Sequence, residues 1–279
     1  MGAFSNALTV DVEDYFQVSA FAPHIPRTDW DQRECRVERN VERILDLLDE
    51  HEARATFFTL GWVAERYPTL VRDIVGRGHE LASHGYAHER VTDMSESAFS
   101  ADVTRAKAIL EDVGGVTVAG YRAPSFSIGA HNLWAFDALA RAGYRYSSSV
   151  YPVRHDHYGM PDAPRFAHAV CAGLLEVPPT TSRLFSHNLP SSGGGYFRLM
   201  PYALSRWMLR RVNAVEGEPT VFYFHPWEID AGQPRVAGID HKTRFRHYLN
   251  IDRMEGRLRR LLSDFRWDRM DHVFRELMH

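Results

Sequence analysis

Apolar and polar positions along the chain alternate between two periodicities. Short apolar runs that end in polar residues predict seven strands, at 7–11, 55–60, 80–83, 118–122, 144–147, 174–177 and 220–224. Between the strands, apolar residues at helical spacing predict helices over about 36–51 and from near Pro68 to the stop signal Gly76-Arg-Gly78. The same spacing predicts a helix along Phe99 to Leu110 that is closed by glycines at 114–115, and one along Leu133 to Leu139 that ends at Gly143. This alternation is typical of a parallel sheet covered by helices, and about seven such units favour a (β/α) barrel over an open sheet.

The segment after the last predicted strand has a different character. Apolar residues and arginines at helical spacing predict one long basic amphipathic helix over about 242–263. We therefore expect an α/β barrel at 5–230 and a helical C-terminal extension at 231–279 packed on the barrel. Before the last strand, three consecutive glycines at 193–195 indicate backbone that bends tightly or lies close to a ligand, and a plain flexible loop is an equal alternative.

Composition and charge exclude several classes of protein. Among 279 residues, 44% are hydrophobic and 25% are charged, which is ordinary for a globular protein with a sizeable core. The formal net charge of −3 creates no field that would attract nucleic acid. Cys35 and Cys171 form no plausible disulfide framework. We recognise neither a signal peptide nor an apolar run of about 18 residues, so we expect a cytoplasmic protein without a membrane span.

Polar side chains collect after the first and third predicted strands. His84 and His88 are four residues apart, and neutral imidazole is the commonest metal ligand in proteins. Asp11, Glu13 and Asp14 end the first strand, where three acids repel one another unless a cation or an arginine neutralises them. One carboxylate would complete a His-His-carboxylate site for a divalent metal, and a second would act as general base on its water. A solvated acidic turn and a chance histidine pair are the plain alternatives.

Two more polar residues lie at the ends of predicted strands. Arg122 ends the predicted fourth strand, where a guanidinium would orient a neighbouring base and hold down its pKa, unless it forms an ordinary surface salt bridge. His225 comes after the seventh strand. An isolated histidine there is more often structural, but its position at a strand end beside a proline and a tryptophan raises the odds of a general acid. Because chemistry in barrels sits on loops after the strand ends, we expect both residues to face Asp11 and His84. A rival metal site at 155–157, of sequence His-Asp-His, lacks a preceding strand.

Four motifs resemble those of the polysaccharide deacetylase family, the NodB-homology enzymes of carbohydrate esterase family 4. They are, in chain order, Thr9-Val-Asp-Val-Glu-Asp14, Ser83-His-Gly-Tyr-Ala-His88, Tyr121-Arg-Ala-Pro124 and Phe224-His225. The resemblance covers roughly 5–230, and it is specific because four separate pieces coincide. Three further stretches look like a subgroup with a C-terminal extension that is associated with bacterial exopolysaccharide and exosortase loci, namely 193–198, 222–228 and 246–248.

The resemblance implies a distorted (β/α) barrel that holds one divalent metal ion, usually zinc. His84 and His88 would be metal ligands, Asp11 the general base, and His225 the general acid that protonates the leaving amine. Arg122 would orient Asp11. The metal and a backbone N–H after the Arg-Ala-Pro sequence would stabilise the oxyanion. The implied reaction is removal of N-acetyl groups from an amino-sugar polysaccharide, an oligosaccharide or a precursor, by attack of a metal-bound water.

The chain departs from the family's pattern at two positions. Many relatives have two adjacent aspartates, base then ligand, but here a valine follows the first, so the carboxylate ligand is either Glu13 or Asp14. Relatives usually also place an aspartate at the position of Ser147, where it tunes the catalytic histidine. Without that aspartate, Glu176 or Glu228 would have to substitute.

Two other functions stay open at this point. Barrels of this superfamily also open small cyclic amides and ureides, and the Asp-x-Glu pattern resembles that branch. A small amide needs a closed pocket, whereas a polymer needs an open cleft with stacking aromatic residues. The serine at 147 also fits a carbohydrate-binding relative that has lost activity. Metal analysis and acetate release from a chitin oligomer separate the three functions.

Overall fold

The computed structural model describes residues 4–155, 159–184 and 187–278. The strands within these ranges are β1 (Ser5–Val12), β2 (Thr56–Thr59), β3 (Glu80–Ser83), β4 (Gly120–Tyr121), β5 (Tyr146–Ser147), β6 (His168–Cys171), β7 (Leu174–Glu176), β8 (Thr181–Leu184), β9 (His187–Pro190), β10 (Val221–Phe224) and β11 (Arg266–Asp268). The α-helices are α1 (Val37–Glu50), α2 (Gly61–Arg66), α3 (Pro68–Gly76), α4 (Glu96–Gly114), α5 (Trp134–Arg141), α6 (Gly194–Leu199), α7 (Tyr202–Arg211), α8 (His241–Tyr248), α9 (Met254–Asp264) and α10 (Met270–Val273).

Most of the strands form one curled, largely parallel sheet. Its order is β10-β1-β2-β3-β4-β5-β7-β6, with β6 antiparallel to β7, and β11 pairs with the beginning of β1. Strands β8 and β9 form a separate antiparallel hairpin. The main sheet curls into a half-barrel, so the prediction of a distorted α/β barrel is confirmed.

The central strands are buried on both faces because helices cover the outside of the sheet. Every residue of β2 and β3 is buried. Helix α1 shows how the helical spacing is used, since the apolar residues that predicted it are all buried: Val37, Val41, Ile44, Leu45 and Leu48. Burial of each such side chain contributes about 1.5–3 kcal/mol. Packing of this apolar stripe therefore stabilises α1 more than helix propensity does.

The C-terminal segment is not the single long helix predicted over 242–263. Helices α8 and α9 are separated at Asn250, whose φ of 50° lies in the left-handed region. Arg198 donates to three carbonyl groups at the end of α8, those of Arg246, His247 and Leu249. A continuous helix would use those carbonyls internally, so the arginine accounts for the break. Because β11 joins the main sheet, residues beyond 230 contribute to it, and a domain boundary at 230 stays a prediction.

The sequence pattern did not predict several short strands. Strands β6, β8, β9 and β11 are three or four residues long and partly exposed, so their apolar residues show no distinct period. The glycine-rich stretch bends as predicted: Gly193 has a φ of 96°, and a Cβ there would lie 2.5 Å from the Tyr223 ring. Helix α6 follows directly, where a plain loop was the alternative. Within the described ranges, no helix combines the length and the apolarity needed to cross a bilayer.

Candidate active site

The carboxyl ends of neighbouring parallel strands place the predicted polar residues at one edge of the sheet. Strand β1 lies between β10 and β2, and β3 lies on the other side of β2. Asp11 lies near the end of β1, His84 directly follows β3, and His225 directly follows β10. All of these pairings are parallel, so the strands end on the same side. The side chains therefore converge on one site.

Glu13, His84 and His88 form a group of potential metal ligands. One ligand atom from each lies within 4.8 Å of the others, and all three residues are buried. Oε2 of Glu13 is 2.7 Å from Nε2 of His88 and, apart from this contact, has no hydrogen-bond partner among the described residues. Nδ1 of His84 lies 2.8 Å from the carbonyl oxygen of Arg122. A buried carboxylate oxygen that faces an imidazole nitrogen and a histidine oriented by a carbonyl both fit a divalent cation.

Burial and nearby charge set the protonation of this group. Burial lowers the pKa of His84 to about 4, so its imidazole is neutral at pH 7. Burial alone would raise the pKa of Glu13, but His88, His225 and His84 outweigh it and lower that pKa to about 2. Glu13 is therefore ionised. A neutral imidazole and an ionised carboxylate are the forms that bind a metal.

The carboxylate of Asp14, the other candidate ligand, points elsewhere. It accepts hydrogen bonds from the backbone N–H groups of Tyr15, Arg36 and Val37. The Cys35 thiol also donates to it at 3.2 Å. Asp14 thus joins the turn after β1 to the start of α1, and its oxygens are used by backbone donors. Of the two alternatives, the structure groups Glu13 with the histidines.

Asp11 and Arg122 form a buried ion pair next to this group. Nη1 of Arg122 is 2.6 Å from Oδ1 of Asp11 and 2.7 Å from the Thr9 hydroxyl. The remaining guanidinium donors contact the hydroxyl and the carbonyl of Ser148 at 2.9 and 3.2 Å. Because Arg122 is completely buried, leaving it unpaired would be costly. The arginine consequently fixes one oxygen of Asp11, and the other, Oδ2, lies 3.9 Å from Nε2 of His225.

His225 lies close to both Asp11 and Glu13 on the Nε2 side of its ring. This nitrogen is 3.7 Å from Oε1 of Glu13, and the ring stacks on Trp227 with centroids 5.1 Å apart. On the opposite side of the ring, Nδ1 is 3.1 Å from Oε2 of Glu228. Burial alone would lower the pKa of His225, but the hydrogen bond to Glu228 and the charges of the surrounding carboxylates raise it to about 9. The ring is therefore protonated at neutral pH and can donate a proton.

Glu228 is itself supported by Arg198, a residue that the sequence reasoning did not single out. Nε of Arg198 donates to Oε1 of Glu228 at 2.9 Å, and both side chains are almost completely buried. Burial raises the pKa of Glu228, but Arg198 and His225 outweigh it and lower the pKa to about 2. The available signal was the arginine that ends the glycine-rich stretch. Its partner, however, lies 30 residues further along the chain.

The glycine-rich stretch makes room for this pair. A Cβ at Gly194 would lie 1.8 Å from Oε2 of Glu228, so a larger residue would displace the carboxylate from His225. Ser147 donates instead to the hydroxyl of Ser149. Glu176, the other substitute considered, accepts hydrogen bonds from backbone N–H groups near the end of β5. Of the two glutamates, only Glu228 contacts the histidine.

The rival metal site cannot be compared in the same way, because residues 156 and 157 lie outside the described residues. Among those that the structure does describe, Glu13, His84 and His88 form the one group of at least three metal-ligating side chains with mutually close ligand atoms.

Comparison with known protein families finds two matches along the chain. The family model described as polysaccharide deacetylase matches residues 29–147. Residues 29–147, somewhat less than half of the chain, are thus similar to the polysaccharide deacetylase family. The segment that follows, 148–275, matches a model described only as a domain of unknown function, DUF3473. The deacetylase match ends at the end of β5, so His225, Glu228 and Arg198 all come from the second segment.

Individual relatives agree with the deacetylase family. The chain is 33% identical over 94 residues to a peptidoglycan-N-acetylglucosamine deacetylase of Bacillus cereus, covering 33% of this chain and 34% of that protein. It is 33% identical over 97 residues to a chitooligosaccharide deacetylase of Sinorhizobium fredii, covering 34% and 42%. The matches to the first curated relatives thus span only about a third of their length.

Solved structures match nearly the whole chain. A Mycobacterium smegmatis protein provisionally assigned to the polysaccharide deacetylases superposes with a TM-score of 0.61 at 23% identity, covering 99% of this chain and 92% of that one. A carbohydrate esterase family 4 pseudoenzyme from Bacillus anthracis superposes with a TM-score of 0.52 at 12% identity, covering 98% and 66%. At these identities the similarity concerns the fold.

Proposed function

We propose that this chain is a metal-dependent hydrolase that removes N-acetyl groups from an amino-sugar polysaccharide or oligosaccharide. The observation that carries the proposal is the convergence of a carboxylate–imidazole group, a buried aspartate–arginine pair and a histidine at one sheet edge. The names of the relatives, deacetylases of peptidoglycan and chitooligosaccharides, support a glycan substrate. Within that class, the resemblance of three motifs to the exopolysaccharide subgroup favours a bacterial exopolysaccharide or its precursor.

Glu13, His84 and His88 would hold one divalent cation. Two imidazoles and one carboxylate are a ligand set that zinc accepts while leaving positions open for water and substrate. A cation bound there would act as a Lewis acid on the acetyl carbonyl and would lower the pKa of a water molecule.

Asp11 would act as the general base. Arg122 occupies its Oδ1, so Oδ2 remains to accept a proton from the attacking water. With that proton removed, the water oxygen adds to the carbonyl carbon of the N-acetyl group. The ion pair also keeps the carboxylate in one orientation, which a base needs for proton transfer over hydrogen-bond distance.

His225 would act as the general acid. The amide C–N bond breaks as Nε2 gives its proton to the leaving nitrogen, so that one water and one N-acetyl group yield acetate and an amine. Glu228 accepts from Nδ1 and stabilises the protonated ring. We assign to Glu228 the role that relatives give to an aspartate at the position of Ser147.

A strained turn after β4 would stabilise the oxyanion. Ser125 and Phe126 have φ of 55° and 49°, left-handed values that cost roughly 1–3 kcal/mol each in a residue other than glycine. Such strain is concentrated at functional sites, and the turn directly follows Pro124. The backbone N–H of Ser125 is the donor that we assign to the negatively charged oxygen.

The experiment is to measure bound metal and acetate release on the same preparations. The wild-type chain, loaded with zinc, should release acetate from tri-N-acetylchitotriose, and a chelator should stop the reaction. His84→Ala should lose both the metal and the activity. His79→Asn is the matched control, because His79 is also buried but accepts from the backbone N–H of Ala55 and is not a member of the ligand group.

Each outcome separates one function from the others. Absence of both bound metal and acetate release would refute the proposal. Bound metal with turnover of a cyclic imide or ureide, and none of the chitin oligomer, would indicate a small-amide hydrolase. Binding of the oligosaccharide without acetate release would indicate an inactive relative.

A further inference from the structure

A groove opens beside the general acid, and its walls come from the segment of unknown function. Its volume is about 350 Å³, and His225 and Trp227 line it together with residues of α6 and α8. Every lining residue except Val18 and Ala20 lies between 148 and 275. The groove is therefore continuous with the proposed active site but built outside the matched deacetylase segment.

Two apolar side chains in this groove are unusually exposed. Phe245 on α8 is 56% exposed and Leu199 at the end of α6 is 52% exposed, and both line the groove. The C–H face of a sugar ring is apolar, so it can cover an aromatic ring and remove both surfaces from water. A site that binds a ligand is usually an apolar concavity with a few polar groups.

The geometry of the reaction decides which part of the substrate enters the groove. The acetyl carbonyl must face the ligand group of Glu13, and the leaving nitrogen must face Nε2 of His225. The sugar that carries this nitrogen would then lie next to His225, which also lines the groove. The groove that His225 lines is on the path of the glycan.

Arg198 fixes the groove wall relative to the general acid. The same guanidinium that contacts Glu228 also donates to the carbonyls of Arg246, His247 and Leu249 at the end of α8. The position of α8, and with it Phe245, is thus tied to the carboxylate that supports the acid. A rigid wall of this kind orders the substrate without ordering a loop.

We infer that this groove is a glycan subsite, in which Phe245 stacks on the sugar next to the one that is deacetylated. This inference rests on the proposed function and assigns a role to the segment 148–275. It also predicts the substrate class: glycans of two or more sugar units, in preference to N-acetyl monosaccharides and small cyclic amides.

The test compares Phe245→Ala with Trp207→Ala on substrates of different length. Trp207 is the matched control, since it is an aromatic residue with 50% exposure that does not line this groove. Phe245→Ala should raise KM for tri-N-acetylchitotriose about tenfold with little change in kcat, and should leave kcat/KM for N-acetylglucosamine unchanged. Trp207→Ala should match the wild type on both substrates.

Binding measurements by calorimetry distinguish failure of the subsite from failure of the proposed function. If the wild type releases acetate and Phe245→Ala binds the trisaccharide as tightly as the wild type, the subsite is wrong and the deacetylase proposal stands. If the trisaccharide binds in a Phe245-dependent manner without acetate release, the subsite stands and the deacetylase proposal fails. If the wild type neither binds nor deacetylates the trisaccharide, both are refuted.

Discussion

Replacement of Glu228 by glutamine removes the negative charge beside the proposed general acid and keeps the size of the side chain. Oε2 of Glu228 is 3.1 Å from Nδ1 of His225, and Glu228 is completely buried. Burial lowers the pKa of His225, and the hydrogen bond to Glu228 is the first interaction that opposes this and raises the pKa to about 9. In Glu228→Gln we therefore expect the protonated ring to be less stable, and the pKa of His225 to fall.

The geometry sets the size of the effect. A hydrogen bond to a charged group contributes about 1.5–3 kcal/mol. Loss of that stabilisation from the protonated ring lowers the pKa of His225 by about 1 to 2 pH units. We therefore expect kcat to fall by about 10- to 150-fold well above pH 9, where little of the ring stays protonated, and much less at pH 7. KM should change by less than about threefold, because glutamine keeps the size of the side chain and Glu228 is assigned a role in supporting His225, not in holding the substrate. The fall of kcat at high pH, which reports loss of the His225 proton, should move to lower pH.

The assay is the pH dependence of kcat for acetate release, measured on the zinc-loaded wild type and on three variants. Ser147→Ala and Glu176→Gln are the controls, since the first occupies the position of the usual aspartate and the second is a buried carboxylate bonded to the backbone. Both controls should keep the position of the high-pH limb. If Glu228→Gln retained wild-type kcat and pH dependence, or if Ser147→Ala shifted that limb instead, the assignment of Glu228 would be wrong.

The remaining predictions concern the base and the acid sensitivity of the fold. Asp11→Asn should keep the metal and lose about 10²–10⁴-fold in kcat; loss of metal would make Asp11 a ligand instead. Burial lowers the pKa of His79 to about 4, whereas a histidine in the unfolded chain has a pKa of about 6.5. Between these two values the unfolded state binds more protons than the folded state. The free energy of unfolding therefore falls as the pH drops through this window. Urea unfolding should show that His79 lowers the free energy of unfolding by about 2 kcal/mol between pH 7 and pH 5. His79→Asn should lack this part of the decrease. An unchanged pH dependence in that variant would contradict the burial argument.

Local pattern was sufficient for the parts of the fold that are buried in one continuous stretch. Strand β3 occupies the predicted range 80–83. Helix α3 spans Pro68–Gly76, in agreement with the predicted start near Pro68 and stop at Gly76-Arg-Gly78. Buried strands and proline-started helices carry their signals within a few residues. The convergence of polar residues also followed from strand ends, since a parallel sheet brings its carboxyl ends to one edge.

Contacts between distant parts of the chain could not be predicted from local pattern. The choice between Glu13 and Asp14 depends on the turn after β1. There, the Cys35 thiol and the backbone N–H groups of Arg36 and Val37, which are 21 to 23 residues along the chain, donate to Asp14. The pairing of Glu228 with His225 requires the 3-10 turn at Pro226–Ile229, which folds the carboxylate back onto the ring. The break between α8 and α9 likewise depends on Arg198, which approaches from another element.

Metal stoichiometry distinguishes Glu13 from Asp14 as the carboxylate ligand of the proposed metal site. Wild type, Glu13→Gln and Asp14→Asn are purified, dialysed against dilute zinc, and measured by inductively coupled plasma mass spectrometry, with circular dichroism to verify folding. If Glu13 is the carboxylate ligand, we expect one zinc per folded chain for the wild type and for Asp14→Asn, and a large loss of zinc for Glu13→Gln. Full zinc retention by Glu13→Gln, with loss in folded Asp14→Asn, would contradict it.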